Sequence, residues 1–512
     1  MRNLKRLMTL SMGLAMALLT ACTGTFDLAV ETTPAVEATL AALEAENARL
    51  STQVAASSEP DLGRVVYIQG SDVWVKNIPD GEPVRLTRDG KNLFPRLSPS
   101  GEWCLFRKGP QVWVMRTWGS DAHPLNGGMG VDVALWSPVE DCIAYVTGWY
   151  EGGLFLVNAD GSDERIIVPY LEEPPESHVD HIAWSPDGTW IVYGRSDSKP
   201  DKPPLYQALW RVSTNGGEPV KIYDSGTPEK GVAILHSVSP DGLWVFFWQA
   251  DILSASILAD GVPFYALPAK GGEPIQLADV MLSHSDFVAP VPTGSQVALS
   301  VGAGRETWTN KRIALVNLEM AGWEYLTGET VSAFSPAFSP DGRHIAYVAG
   351  SDVGSVGGGD PAEAGAAQRR IWALNADGSD QRPLTGDPAY RDERPLWSAD
   401  GTHVLFARLD EDGHASLWLV DAAGGVTEQV VDELTPAPGD YYGHIAWDQL
   451  FDWRFPSTAT PTPPPPPTPT PQPPTDATPA PLTWGPEIRV VTELASFTPP
   501  AWSPDGEVLA YP

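Results

Sequence analysis

The stretch that decides the fold is Ala183-Trp184-Ser185-Pro186-Asp187-Gly188 running into Trp190-Ile191-Val192-Tyr193. An apolar run stops at Ser-Pro-Asp-Gly, and a second apolar run starts at once. Pro fixes φ, Asp caps a tight turn, and Gly accepts the positive φ that closes it. Two apolar runs joined this way read as a hairpin of half-buried strands.

The phrase recurs. Ser239-Pro240-Asp241-Gly242 leads into Trp244–Phe247, and Ser339-Pro340-Asp341-Gly342 into His344–Tyr347. Trp397-Ser398-Ala399-Asp400-Gly401 leads into Val404–Phe406, and Trp502-Ser503-Pro504-Asp505-Gly506 into Val508–Tyr511. Weaker copies stand at Ser98-Pro99-Ser100-Gly101 and Trp136-Ser137-Pro138, and degenerate ones near Pro292-Thr293-Gly294 and at Trp447-Asp448. A second phrase follows each hairpin, as in Leu156-Val157-Asn158-Ala159-Asp160-Gly161 and Trp372-Ala373-Leu374-Asn375-Ala376-Asp377-Gly378. It is a third strand ending in an Asn/Asp-Gly turn, with a short fourth strand after it.

The anchor serines at 98, 137, 185, 239, 339 and 398 step by 39, 48, 54, 100 and 59 residues. Four antiparallel strands repeating at that interval indicate an all-β fold, a β-propeller of four-stranded antiparallel blades. Counting the degenerate copy near 291 gives seven blades. Val65–Ile68, Val73–Val75 and Val84–Leu86 supply three more strands that lack an inner partner, and His444–Trp447 is the expected partner from the other end. The ring then has eight blades, or seven if the copy near 291 fails.

These phrases resemble the propeller repeat of TolB and of the N-terminal propeller of prolyl-oligopeptidase-type peptidases, over residues 61–455. The Gly-His and Trp-Asp marks of WD repeats are not present as a set. TolB-like proteins work as adaptors, so the resemblance implies a binding role toward another envelope or extracellular protein or polymer.

Composition agrees. Gly (48) and Pro (50) together make about a fifth of the 512 residues, too many turn formers for a helical bundle. The formal charge of −32 argues against nucleic acid and against anionic membrane surfaces.

At the N-terminus, Arg2, Lys5 and Arg6 precede a mostly apolar run, Leu7–Leu19, and then Leu19-Thr20-Ala21-Cys22. The run is short for a membrane span. The order resembles a bacterial lipoprotein signal (residues 1–22) with lipid attached at Cys22. That predicts an extracytoplasmic protein anchored to a membrane, on the cell surface or in the periplasm. Losing those three basic residues takes the mature balance to about −35, which disfavours a polyanionic glycan ligand.

Residues 23–60 read as a linker with a short N-terminal helix. Thr33-Pro34 opens it, and apolar residues recur at heptad spacing with Asn47 among them. It is either an oligomerising stalk, through residues 34–54, or a monomeric spacer. Residues 456–482 form a Pro/Thr-rich linker, with 13 prolines between 456 and 481, expected as extended polyproline II. Residues 483–512 begin another repeat, either docked on the ring or the start of a further propeller. Cys104 and Cys142 fit no zinc spacing and are expected as two free thiols, a bridge being the minor alternative.

In a four-strand meander, turns one-to-two and three-to-four share one face. Connections two-to-three and those between blades share the other. Here the second face carries the long loops, Arg195–Tyr206, Gln249–Gly261 and Gly350–Arg370, so binding is expected there. The candidate binding residues are Arg195, Tyr206, Gln249, Asp251, Asp352, Arg369, Arg370 and Arg408. The Gly/Ala-rich segment 350–367 is expected to order on binding.

His178, His181, His236, His284 and His444 fall just before or early in inner strands. They are candidate ligands for a divalent metal at the channel mouth. Oligogalacturonate lyases, which resemble this repeat type, hold a channel metal with His. The alternative function is therefore a metal-dependent carbohydrate lyase or hydrolase. The plainer reading is polar residues at a strand rim, with no cofactor. No Gly-x-Ser-x-Gly elbow, His-Glu-x-x-His pair or phosphate loop occurs, so the expectation is a chain with no catalytic residue and no enzymatic role.

Overall fold

The computed structural model describes residues 62–455, apart from 129, 148–151, 171–175, 199–206, 225–231, 251–254, 321 and 437–438, together with 501–502 and 509–510. The lipoprotein signal with Cys22, the helix after it and the Pro/Thr-rich linker lie outside the described residues.

Eight four-stranded antiparallel sheets form the propeller ring. Seven blades are single runs of chain. Their inner strands are Asn92–Leu97, Val131–Trp136, Glu176–Trp184, Val232–Val238, Val288–Pro290, Val331–Phe338 and Arg391–Trp397, in blades 1 to 7. The degenerate copy near 291 builds blade 5 in full, with Gln296–Val301, Arg312–Asn317 and Gly322–Tyr325 outside Val288–Pro290.

Blade 8 is composite, but its inner strand is not the expected one. Phe451–Arg454 pairs antiparallel with Arg64–Gln69, from Arg64↔Arg454 to Tyr67↔Phe451. Asp72–Asn77 and Val84–Arg85 complete the blade. His444-Ile445 instead forms a two-residue ladder with Asp440-Tyr441, and a 3-10 turn at Trp447–Gln449 separates it from the closing strand. Trp447-Asp448 imitates the repeat phrase but has no Asp-Gly turn after it. The strand therefore starts only where Phe451 and Trp453 can alternate inward. The Trp453 indole N–H donates to the Leu62 carbonyl at 2.8 Å. A β-carbon on Gly63, at φ +87°, would stand 2.5 Å from the Arg454 oxygen, so only glycine fits there.

Each blade is covered on both sides by its neighbours. The second strand is therefore a continuous apolar run and not an alternating one. Ile143–Val146, Ile191–Tyr193, Val245–Phe247 and Val404–Ala407 are all fully buried. Apolar clusters bridge successive blades and pass through blades 7, 8 and 1, which closes the ring.

The repeat phrase does the same physical job in its copies at Ser185, Ser239, Ser339 and Ser398. Ser185 Oγ donates to Asp187 at 2.6 Å and accepts the Trp190 N–H at 3.0 Å. The serines at 239, 339 and 398 repeat both bonds with Asp241, Asp341 and Asp400. The tryptophan before the serine bolts neighbouring blades together. Indole N–H groups of Trp136, Trp184 and Trp397 donate to the carbonyls of Arg96, Leu135 and Ala337 in the preceding inner strand.

Cys104 is buried, Cys142 is half-buried, and both are free. Residues 459–512 form a separate unit, in which Ala501-Trp502 pairs with Leu509-Ala510 across the last Ser-Pro-Asp-Gly phrase. Among the described residues no helix is long and apolar enough to cross a membrane.

Candidate functional site

Six inner strands carry a β-bulge partway along, between Leu93 and Arg96, Val131 and Val133, Val179 and Ile182, Leu235 and Ser237, Phe334 and Ala337, and Glu393 and Leu396. A bulge re-aims the extra side chain. Phe94, Ser335 and Arg394 sit in bulges at φ +55°, +51° and +56°. His236 occupies another.

In this way a polar cluster forms at the channel. His444 Nε2 donates to Asp286 Oδ1 at 2.9 Å, Ser335 Oγ donates to Oδ2, and Arg394 stands 4.0 Å from the same oxygen. His284 lies face to face with His444, ring centres 3.6 Å apart. Burial alone would raise Asp286, but His444, with Arg394 and the Ser335 hydroxyl, holds it well below the usual carboxylate range. Burial pushes His444 down, yet the Asp286 carboxylate outweighs it and leaves His444 raised. Burial, then the neighbouring His444 charge, takes His284 down to about 4. His236 is also taken down to about 4 by burial, and its Nε2–H donates to the Ser285 carbonyl at 3.1 Å. His181 pairs with Asp180 at 3.0 Å, and His178 lies on the blade 3 inner strand opposite Ser196.

Of these histidines, His284 and His444 form a stacked pair. Among the described residues no group of three His, Cys, Asp or Glu side chains is placed to hold a metal ion.

The loop-bearing rim of blades 6 and 7 holds the larger site. The segment expected to order on binding already contains a helix, Asp360–Ala367, with Pro361 at its start and Asp360 and Glu363 in its first turn. Ala362, Gly365 and Ala366 are buried under it. Asp352 stitches the loop to blade 5 by accepting from Thr309 Oγ at 2.7 Å and from the N–H groups of Asn310 and Gly354 at 2.8 Å.

Below the helix, Arg369 turns inward and is 2% exposed. Its Nη1 donates to Glu393 at 2.6 Å and to the Gly443 carbonyl, and its Nη2 to Thr307 Oγ at 2.9 Å. Glu393 also receives Arg391 at 2.8 Å and the Trp447 indole N–H at 2.9 Å. Arg391 continues to Asp440 at 2.9 Å. Burial would raise Glu393, but Arg391 and Arg369 hold it low. Burial, then repulsion from Arg391, brings Arg369 down to about 10, still charged at neutral pH. This network ties the return segment 440–447 to blades 6 and 7.

A cavity of about 700 Å³ opens over the network, within the range of ~300–1,000 Å³ usual for ligand sites. Its aromatic lining is Trp308, Tyr390, Tyr441 and Tyr442, and its charged lining is Glu363, Asp410, Glu411 and Asp440 against the single guanidinium of Arg391.

The sequence-predicted loop residues are distributed differently. Arg369 and Arg408 are buried. Arg408 makes a two-point pair with Asp392, at 2.6 and 3.1 Å, and stacks on Tyr390. Arg370 caps backbone carbonyls of 367 and 369. Arg195 lies over the Trp210 ring, and Gln249 accepts from the Tyr223 hydroxyl. Tyr206 and Asp251 lie outside the described residues. The sequence reading missed Trp308, Tyr390 and the Tyr441-Tyr442 pair. The pair carried a signal, since it follows Pro438-Gly439 in the short segment between the last full blade and the closing strand.

No family model matches the chain. It is 27% identical over 209 residues to the uncharacterized peptidase YuxL of Bacillus subtilis, a match covering 37% of this chain and 28% of that protein. Among solved structures it is similar to a TolB of Agrobacterium tumefaciens (16% identity, 72% of this chain and 87% of that one, TM-score 0.30). It is also similar to an oligogalacturonate lyase in complex with manganese (17%, 70% and 97%, TM-score 0.43) and to Porphyromonas gingivalis dipeptidyl peptidase 4 (12%, 73% and 60%, TM-score 0.49). At those values the likeness goes no further than the propeller that the strand pairing already establishes. The peptidase relative corrects the expectation of a chain with no enzymatic role. That expectation rested on missing motifs alone.

Proposed function

We propose that this chain is a lipid-anchored, extracytoplasmic propeller that recognises peptide segments of other envelope or extracellular proteins in its rim cavity and serves peptide hydrolysis. One observation carries the reading: a ligand-sized, aromatic-lined cavity of about 700 Å³ sits on the loop-bearing rim, above a buried ion network that makes its floor rigid. The peptidase relative makes peptide the ligand class to try first.

The test is selection of displayed random peptides on the full chain, with mass spectrometry of the bound peptides for cleavage. Enrichment that disappears in Tyr441→Ala/Tyr442→Ala supports the reading. Equal recovery on the intact chain and that variant overturns it. Cleavage that appears only with the intact cavity places hydrolysis in this chain, and binding without cleavage places it in a partner. A Cys22→Ala variant that leaves the membrane fraction supports the anchor.

A further inference from the structure

We infer that the rim cavity selects peptides by a cationic side chain, lysine or arginine, whose charge is held between Glu363 and Glu411. The inference rests on the peptide-binding reading and names its specificity.

The lining sorts into three kinds of surface. Asp440 and Arg391 neutralise each other, and Arg391 is shared with Glu393. Asp410 is occupied by His414, at 3.0 Å from its ring and 2.8 Å from its backbone N–H. The carboxylates of Glu363 and Glu411 remain, exposed, with no hydrogen bond or ion pair among the described residues. Once the internal pairs are set aside, the field in the cavity is negative.

The second surface is aromatic. Tyr390 has Arg408 against it at 4.6 Å, and Tyr442 has Arg305 at 5.3 Å, whereas Tyr441 carries no cation among the described residues and is 54% exposed. An aromatic face beside carboxylates suits a cation better than an anion. The third surface is aliphatic, with Ala362, Ala366, Pro388, Ala389 and Leu409 lining the same space. A long side chain with an apolar stem and a charged tip matches that order of surfaces.

Trp308 adds to this apolar lining and is 7% exposed.

The experiment is titration calorimetry of the full chain with two neutral-capped pentapeptides that differ only in a central lysine or norleucine. The lysine peptide is expected to bind about tenfold tighter, the equivalent of one charge-assisted contact of ~1.4 kcal/mol. Salt should weaken it, because the carboxylates are exposed. In Glu363→Gln/Glu411→Gln the two peptides should bind alike. Equal binding of both peptides to the unaltered chain overturns the cationic selectivity and leaves peptide binding standing. Binding of neither overturns the peptide reading itself, and the selectivity with it. A lysine preference that survives in the double variant assigns the cation elsewhere and also overturns the inference.

Discussion

The two rims of this propeller are built by opposite means. On the tight-turn rim the repeat phrase makes the same local contacts in copy after copy, a serine hydroxyl, an aspartate two residues on and an N–H five residues on, and contacts between blades reach only the next blade, as from Ser100 to Asp141. On the loop-bearing rim the contacts join residues far apart, such as Arg369 with Glu393 and Gly443, or His444 with Asp286, 158 residues away. The first rim is a row of like parts, each joined to the next. The second is one connected object, and the cavity lies on it. A fold can therefore be specified by repetition while its site depends on contacts that occur once.

The largest effect should follow from breaking the connected rim. Glu393→Gln leaves Arg369 buried without its counter-charge and Arg391 with Asp440 alone. It should cost about 3–5 kcal/mol of unfolding free energy, read as a lower urea midpoint. An Arg369→Ala change added to it should fall well short of additive, because both act on one network.

The next effect separates the rims by pH. His284 and His236 are held near 4 in the fold. As pH falls below about 6.5 the unfolded chain takes up protons that the ring refuses until about pH 4, so stability drops over that interval. His444 is raised, so its contribution is complete below about 6.5 and is lost as pH rises past its folded value. Asp286 is depressed, so its contribution is present above about 4 and is lost in acid below that. His284→Phe keeps a ring against His444 and should shrink the loss between pH 6.5 and 4 in thermal melts. An unchanged slope would remove His284 from the account.

On the local rim, Ser339→Ala and Ser398→Ala should each cost about 1 kcal/mol, and their sum should hold in the double variant to within ~0.5 kcal/mol. Coupling larger than that would mean the turns are not independent. Smallest of all, Glu363→Gln should shift stability by no more than ~0.5 kcal/mol, since its carboxylate is exposed and has no partner among the described residues. A large loss there would make it part of the framework.

This contrast also explains what could be read in advance. The turn phrase encodes its own hydrogen bonds within six residues, so the blades, their number and the two faces were legible. The long loops were legible as a place. Their chemistry was not, because Arg369 and Arg408 look like surface cations until Glu393 and Asp392 are seen against them. The bulges hid the channel cluster, since one inserted residue at Ser335 or Arg394 shifts which side chain faces inward. Closure was placed seven residues early, at His444 and not Phe451, because Trp447-Asp448 copies half of a phrase whose other half does the turning.

The composite blade has a mechanical consequence. Arg64 opposes Arg454, so Gly63 and Phe455 leave the sheet side by side at one end of an antiparallel pair. A pulling force applied at those two residues loads that pair by peeling. Its hydrogen bonds break in succession from Arg64 toward Tyr67, where a sliding geometry would make them resist together. Seven blades lie off the line of tension. Under load the ring should yield first at this seam, and it can re-form there with the other blades still folded.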